Sequence, residues 1–172
     1  MRYKKGRLAV VAVLVFGFVA VMNTTFSPMF YYNTSASIPK GLYYSISYDG
    51  SIQKGDIVVF NPPSDVAEFA CERGYLPNAS YPMMKKVAAT GGDEVSSSKG
   101  SFFAAGICLG PISSYDSEGR ELKAWPYNHY IVHDDEFIAV GTHERSWDSR
   151  YYGPIPMNRI ITKVKPLYID ED

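Results

Sequence analysis

The sequence carries almost no net charge, with a formal charge of −1 at pH 7 over 172 residues. Beyond the first seven residues it has no run of basic side chains. A protein that binds nucleic acid needs such a patch to neutralise phosphates. No internal repeat or low-complexity block is present either. These absences exclude nucleic acid as a partner and, at this length, favour one folded domain.

Cysteine is also scarce, since Cys71 and Cys108 are the only two. In an oxidising compartment they could form a disulfide, which the chain-entropy model values at roughly 4 kcal/mol. Two unpaired thiols are the alternative. The sequence alone leaves both possibilities open.

One long apolar segment stands at the N-terminus. Four cations within residues 1–7 precede an uncharged stretch, residues 8–26, which as a helix would span roughly 28 Å, close to the thickness of a bilayer core. No small-x-small cleavage site follows Met22, which favours a retained anchor over a cleaved signal peptide. Because cations stay on the cytoplasmic side, we expect a single-pass protein of the inner membrane, with residues 1–7 cytoplasmic and residues 27–172 periplasmic.

The rest of the chain favours a β protein. Its 14 tyrosines and 11 prolines are typical of a turn-rich β fold rather than a helical bundle. Strands are predicted in the stretch from Gly41, in the stretch that ends near Phe60, in MMKKVAA from Met83, and in the closing RIITKVKPLY. Residues 97–127, rich in Ser, Gly and Pro, are interpreted as an insertion rather than a domain.

One helix is predicted outside the apolar segment, in residues 64–75. Asp65 would cap it, Glu68 stands three residues later as in a capping box, and Gly74 suits the left-handed position after the helix end. The segment HYIVHDDEFIAVG, residues 129–141, is predicted to be a β-hairpin with a polar tip.

A lysine pair inside an apolar strand is the strongest chemical signal. Lys85 and Lys86 stand among methionine, valine and alanine. Burial disfavours the charged amine, and a pKa lowered by about two to three from the ordinary value of about 10.4 leaves a substantial neutral fraction near pH 8. A neutral amine can serve as general base for a serine nucleophile. Strand alternation lets only one of the two lysines point at such a serine and does not say which, and a lysine reaching solvent from a strand edge is the alternative.

Three motifs together carry a family resemblance: SASIPKGLY, MMKKVAATGGDEV and SWDSRYYGPI. With the apolar N-terminus, they make the chain resemble the serine-lysine signal peptidases of the type I family. The similarity is greatest to the shorter conjugative-transfer relatives, which process pilin precursors, because one residue separates Ser37 from Pro39 where the general enzymes usually have two. The resemblance implies a mainly β catalytic domain, a single coiled, barrel-like sheet behind an N-terminal transmembrane helix.

The resemblance also implies roles for four side chains. Ser37 matches the nucleophile and Lys85 the general base. Ser35 matches the hydroxyl that holds the oxyanion together with the Ser37 N–H group, and Ser146 matches the serine that orients the base. His143 as the base of a Ser-His-Asp triad is disfavoured, because nothing in the sequence fixes it relative to Ser37.

The implied function is that of a membrane-anchored serine endopeptidase that removes leader peptides from exported precursors, with a conjugative pilin as the expected substrate. Cleavage is expected after an Ala-x-Ala pattern. The expected partners are these precursors and membrane lipid. Two alternatives stay open: a housekeeping signal peptidase, and a non-catalytic, membrane-tethered β module of a pilus or secretion apparatus.

No cofactor or metal is predicted. His129 and His133 could share a face of a strand, close to the carboxylates of residues 134–136, as a metal site would require. A polar hairpin tip explains the same residues.

Overall fold

The computed structural model describes Val13 and residues 28–170. The predicted basic segment, residues 1–7, lies outside these residues, and so does the predicted anchor, residues 8–26, apart from Val13. Within the described residues, none of the helices has the length and apolar composition needed to cross a membrane.

The prediction of a mainly β protein is confirmed. In chain order, the strands and helices of the described residues are β1 Phe30–Asn33, β2 Gly41–Ile46, β3 Ile57–Phe60, α1 Ser64–Glu72, β4 Met83–Thr90, β5 Glu94–Ser98, β6 Ser101–Ala104, β7 Ile107–Pro111, β8 Tyr130–Ile131, β9 Glu136–Val140, α2 Ser149–Tyr152, β10 Ile155–Pro156, a 3-10 helix Met157–Arg159, and β11 Ile160–Ile169.

The strands form two antiparallel sheets, where the resemblance implied one. The larger sheet has the order β1-β2-β11-β3-β4-β9-β10, and the smaller has the order β7-β6-β5-β8. The segment interpreted as an insertion, residues 97–127, supplies strands β6 and β7 of the smaller sheet. The second sheet forms because Phe102 and Ala104 alternate along β6 and bury themselves against Ile138 and Val140 of the larger sheet.

Local predictions fail where a partner distant in sequence decides the structure. The predicted hairpin in residues 129–141 is wrong, because β8 pairs with β5 while β9 pairs with β4 and β10. A turn at residues 134–135 instead leads the chain from one sheet to the other. Strand β1, which was not predicted, pairs with β2, so the strand expected to come first is the second.

Helix α1 is confirmed, but its predicted cap is wrong. Pro63 occupies the N-cap position without a side-chain hydrogen bond, so Asp65 lies inside the first turn. The predicted end is confirmed, because Gly74 has a φ of +72° and donates its N–H to the carbonyl of Cys71. Helix α2 is a second helix outside the predicted anchor; a single turn is too short to give a periodic pattern.

The two cysteines are unpaired thiols in the described part of the chain. Cys71 lies in α1 and Cys108 lies in β7 of the smaller sheet. Of the two possibilities that the sequence left open, the structure therefore has the unpaired thiols.

Candidate active site

Ser37 lies in the loop that connects β1 to β2, and its neighbours hold this loop in place. The next residue, Ile38, is 1% exposed and packs in a cluster with Tyr43 and Val59. Burying an isoleucine side chain contributes about 1.5–3 kcal/mol. The Thr142 N–H donates to the Ser37 carbonyl at 2.6 Å. Ser37 is therefore fixed to the chain segment that follows β9.

The fold separates the two lysines as strand alternation requires. Lys85 is 5% exposed, whereas Lys86 points to solvent. Burial lowers the pKa of Lys85 to about 8; the carboxylate of Asp148 opposes this change and the guanidinium of Arg150 adds to it. A substantial fraction of this amine is therefore neutral near pH 8.

Ser146 is the hydrogen-bond partner of this amine, because Lys85 Nζ donates to Ser146 Oγ at 2.9 Å. Gly141 brings Ser146 close to Ser37. A Cβ atom on Gly141 would lie 2.2 Å from Ser146 Oγ and 2.7 Å from the Ser37 carbonyl oxygen. Only glycine leaves enough space for these two groups to approach each other.

Ser35 contacts Ser37 through two hydrogen bonds. Ser35 Oγ donates to Ser37 Oγ at 3.1 Å and accepts from the Ser37 N–H at 3.1 Å. Among the described residues, no hydrogen bond joins the Ser37 hydroxyl to Lys85. Such contacts in unliganded enzymes often tighten only when substrate is bound.

The four predicted site residues, Ser35, Ser37, Lys85 and Ser146, line one cavity of about 600 Å³. The structure thus brings together side chains from the β1–β2 loop, strand β4 and the segment before α2. The rest of the lining is mainly aromatic and apolar; it includes Tyr75, Leu76, Pro77, Tyr81, Pro82, Tyr115, Leu122, Trp147 and Tyr151. A cavity of this size can hold several residues of an extended peptide.

Asp116 joins two loops that line the cavity: the loop after α1, which carries Tyr75, and the loop between β7 and β8, to which Asp116 itself belongs. Its side chain is 4% exposed. Its carboxylate accepts from Tyr75 Oη at 2.6 Å and from Arg120 Nε at 2.7 Å, and Arg73 Nη1 lies 3.4 Å away. Burial alone would raise the pKa of Asp116, but the hydrogen bonds from Tyr75 and Arg120 outweigh it and hold the pKa well below its ordinary value. The carboxylate therefore stays charged and keeps the walls together.

A buried ion pair supports the segment that carries Ser146. Arg150 is 1% exposed and Asp148 is fully buried. Arg150 Nη2 and Nε donate to the Asp148 carboxylate at 2.8 Å each, and Nη2 also donates to the Ser146 carbonyl at 3.1 Å. Asp148 in turn accepts the Gly141 N–H at 2.8 Å. The pair thus fixes the backbone at both Gly141 and Ser146.

Replacing Arg150 with leucine is expected to destabilise the protein by about 3–5 kcal/mol, because it leaves the Asp148 carboxylate buried and uncompensated. This loss corresponds to a decrease in Tm of about 10 °C for a domain of this size. Thermal and urea denaturation measure it. Arg145→Leu is the matched control, since Arg145 is exposed in the same segment; equal losses in the two variants would contradict the assigned role.

Sequence reasoning missed several residues that shape the site. Asn33, Gly141 and Asp116 act through contacts with loop backbone or with side chains distant in sequence, which leave no periodic pattern. The one available signal was Gly141, an isolated glycine that directly follows the apolar run ending at Val140.

A family model and several known proteins are similar to this chain. The family model described as "Signal peptidase, peptidase S26" matches residues 3–169. Two plasmid transfer proteins TraF of Escherichia coli are 33% and 34% identical to this chain over 144 and 145 residues. Each alignment covers 78% of this chain and 80% of the relative.

A solved structure is also similar. The crystal structure of a signal peptidase I from Enterococcus faecalis V583 is 18% identical, with a TM-score of 0.41. The superposition covers 67% of this chain and 97% of that chain.

Proposed function

Because the chain belongs to the signal peptidase family, peptidase S26, we propose that it is a serine endopeptidase that cleaves leader peptides from exported precursor proteins. Ser37 is the nucleophile and Lys85 is the general base. The observation that carries this proposal is a buried amine with a pKa of about 8 in the same cavity as the Ser37 hydroxyl.

The reaction begins when neutral Lys85 Nζ takes the proton of the Ser37 hydroxyl and Ser37 Oγ attacks the scissile carbonyl carbon. The C–N bond then breaks, and the departing amine takes its proton from Lys85. Water attacks the resulting ester with Lys85 as base again, which releases the leader and restores Ser37. Ser146 orients the amine during both steps through its hydrogen bond to Nζ.

The oxyanion is held by the Ser35 hydroxyl and the Ser37 N–H. Without substrate, both donors are occupied by hydrogen bonds between Ser35 and Ser37. A substrate carbonyl oxygen therefore has to replace both bonds, the one from the Ser35 hydroxyl to Ser37 Oγ and the one from the Ser37 N–H to Ser35 Oγ, before the two groups can donate to it. Loss of one such donor typically lowers the rate on the order of 100-fold or more.

The precursor is proposed to be a conjugative pilin with small residues at the first and third positions before the cut. Support comes from the similarity to proteins named for plasmid transfer. The substrate would bind as an extended strand in the cavity, where backbone hydrogen bonds supply affinity and side-chain pockets supply specificity.

We place the catalytic domain at the periplasmic face of the inner membrane, anchored by residues 8–26. Support comes from a group of exposed apolar and aromatic side chains on strands β1 and β11 and just before β1, close in sequence to the proposed anchor. They are Met29, Phe30, Tyr32, Leu167, Tyr168 and Ile169. Aromatic side chains of this kind favour the membrane–water interface.

The test is cleavage of a synthetic precursor peptide by the detergent-solubilised full chain, followed by mass spectrometry of the products. We expect one cut, directly after an Ala-x-Ala sequence, and none in a matched peptide in which both alanines are replaced by leucine. The product mass also distinguishes hydrolysis from joining of the new end to an amine. Failure to cut either peptide, or equal cutting of both, would overturn the proposal.

A further inference from the structure

Asn33 is a buried polar residue at the end of β1, four residues before Ser37. The residue is 8% exposed, and its side-chain amide has four hydrogen-bond partners, all in the backbone of the loop that carries Ser37. Asn33 Nδ2 lies within hydrogen-bonding distance of three carbonyl oxygens, those of Ser35 at 2.8 Å, Ile38 at 3.0 Å and Pro39 at 3.0 Å. Its two N–H groups therefore serve three acceptors, and one N–H is shared between two of them. Asn33 Oδ1 accepts the Ser35 N–H at 3.1 Å.

These bonds enclose Ser37 from both sides. One group of partners precedes the nucleophile and the other follows it, so a single amide closes the loop on itself with Ser37 between the two attachment points. The strand ladders cannot provide this, because residues 34–40 lie between β1 and β2. Buried backbone carbonyls without such partners would be costly.

The same bonds also orient Ser35. Both its N–H and its carbonyl are bound by Asn33, while its hydroxyl bonds to Ser37 on the cavity side. One side chain therefore sets the position of both the nucleophile and the proposed oxyanion donor.

The chemistry requires an amide at this position. The three carbonyl oxygens need an N–H donor, and the Ser35 N–H needs an acceptor. Aspartate has nearly the same shape but offers only acceptors, so its carboxylate would face three carbonyl oxygens across about 3 Å. Such a group would repel the loop that asparagine holds.

We propose that Asn33 is a positioning residue that holds the Ser37 hydroxyl and the Ser35 hydroxyl in the geometry needed for attack. The inference rests on the proposed function, and it assigns a role beyond the four side chains predicted from the sequence. In the described part of the chain, no hydrogen bond joins Asn33 to Lys85, so its loss should change the geometry of the reaction and leave the base unchanged.

The test compares Asn33→Asp with Asn61→Asp, in which the same change falls on an exposed loop residue. For Asn33→Asp we expect kcat to fall by at least about 100-fold, since small misplacements of reacting groups cost this much. KM is expected to stay within about threefold, and the apparent pKa of the pH–rate profile to stay near the wild-type value. Asn61→Asp is expected to match the wild type in all three.

A purely structural role would give a different result. It would change KM and kcat together, or shift the pH profile as the site loosens. If Asn33→Asp does not fold, Asn33→Gln gives the same readouts, because it keeps the amide and displaces it by one methylene. A folded variant with wild-type kcat would overturn this inference alone, whereas a wild-type protein without cleavage activity would overturn the proposed function as well.

Discussion

Lys85→Met is expected to abolish cleavage, with a decrease in kcat on the order of 10⁴-fold. Methionine has nearly the length of lysine and is apolar, so it fits the buried position on β4 and removes only the amine. Without that amine, the Ser37 hydroxyl has no group to accept its proton. Because the variant no longer buries an ionisable group, Tm is expected to be equal to or higher than that of the wild type.

The chain offers a matched control in Lys86, which stands next to Lys85 and faces solvent. Lys86→Met is expected to keep kcat within about threefold, because an exposed lysine outside the cavity lining contributes little. His143→Ala tests the histidine alternative in the same assay, since His143 also lines the cavity. Retained cleavage in Lys85→Met, or loss in His143→Ala alone, would contradict a lysine base.

Ser37→Ala is expected to remove the acyl-enzyme route entirely and leave only background hydrolysis. The change deletes one oxygen atom from a half-exposed loop residue, so the fold should be unaffected. The double variant Ser37→Ala with Lys85→Met should be no slower than either single variant, because two residues of one catalytic unit do not act additively. Steady-state kinetics with the Ala-x-Ala peptide measure these effects.

Two further variants serve as references for the Ser37→Ala result. Ser35→Ala removes the proposed oxyanion donor and is expected to slow cleavage about 100-fold, less than loss of the proposed nucleophile. Ser47→Ala changes an exposed serine just after β2, at the other end of that strand from the Ser37 loop, and should have no effect. Cleavage by Ser37→Ala at a rate similar to that of Ser47→Ala would mean that another residue attacks the substrate.

The strands and the helix that the sequence predicted correctly are those whose local residue pattern matches the side chains that the fold buries. Strands β4 and β11 carry long apolar or β-branched runs, and α1 is bounded by Pro63 and Gly74. The predicted hairpin containing β8 was wrong because the two residues of β8 form a strand only against β5, a partner about 35 residues earlier in the chain. A hairpin pattern in the sequence does not reveal that its two halves belong to different sheets.

The residues of the candidate site also fall into two groups, those that sequence motifs predict and those that only the fold reveals. The motifs pointed to Ser37 and Lys85, but only the fold shows that Lys85 is buried while Lys86 is exposed. Asn33 could not be predicted, because its partners are backbone carbonyls whose positions depend on how the loop folds. The same holds for Asp116, which joins two cavity walls that are about 40 residues apart in sequence.

The most direct test of the central claim is the rate at which a serine-directed covalent probe attaches to Ser37, followed from about pH 6 to about pH 10 with peptide mapping of the adduct. The dyad requires a neutral amine, so the rate should rise with pH and level off above the Lys85 pKa of about 8. The adduct should be found on Ser37 and should be lost in Lys85→Met. A rate that does not change with pH, or an adduct on any other residue, would contradict the Ser37–Lys85 dyad.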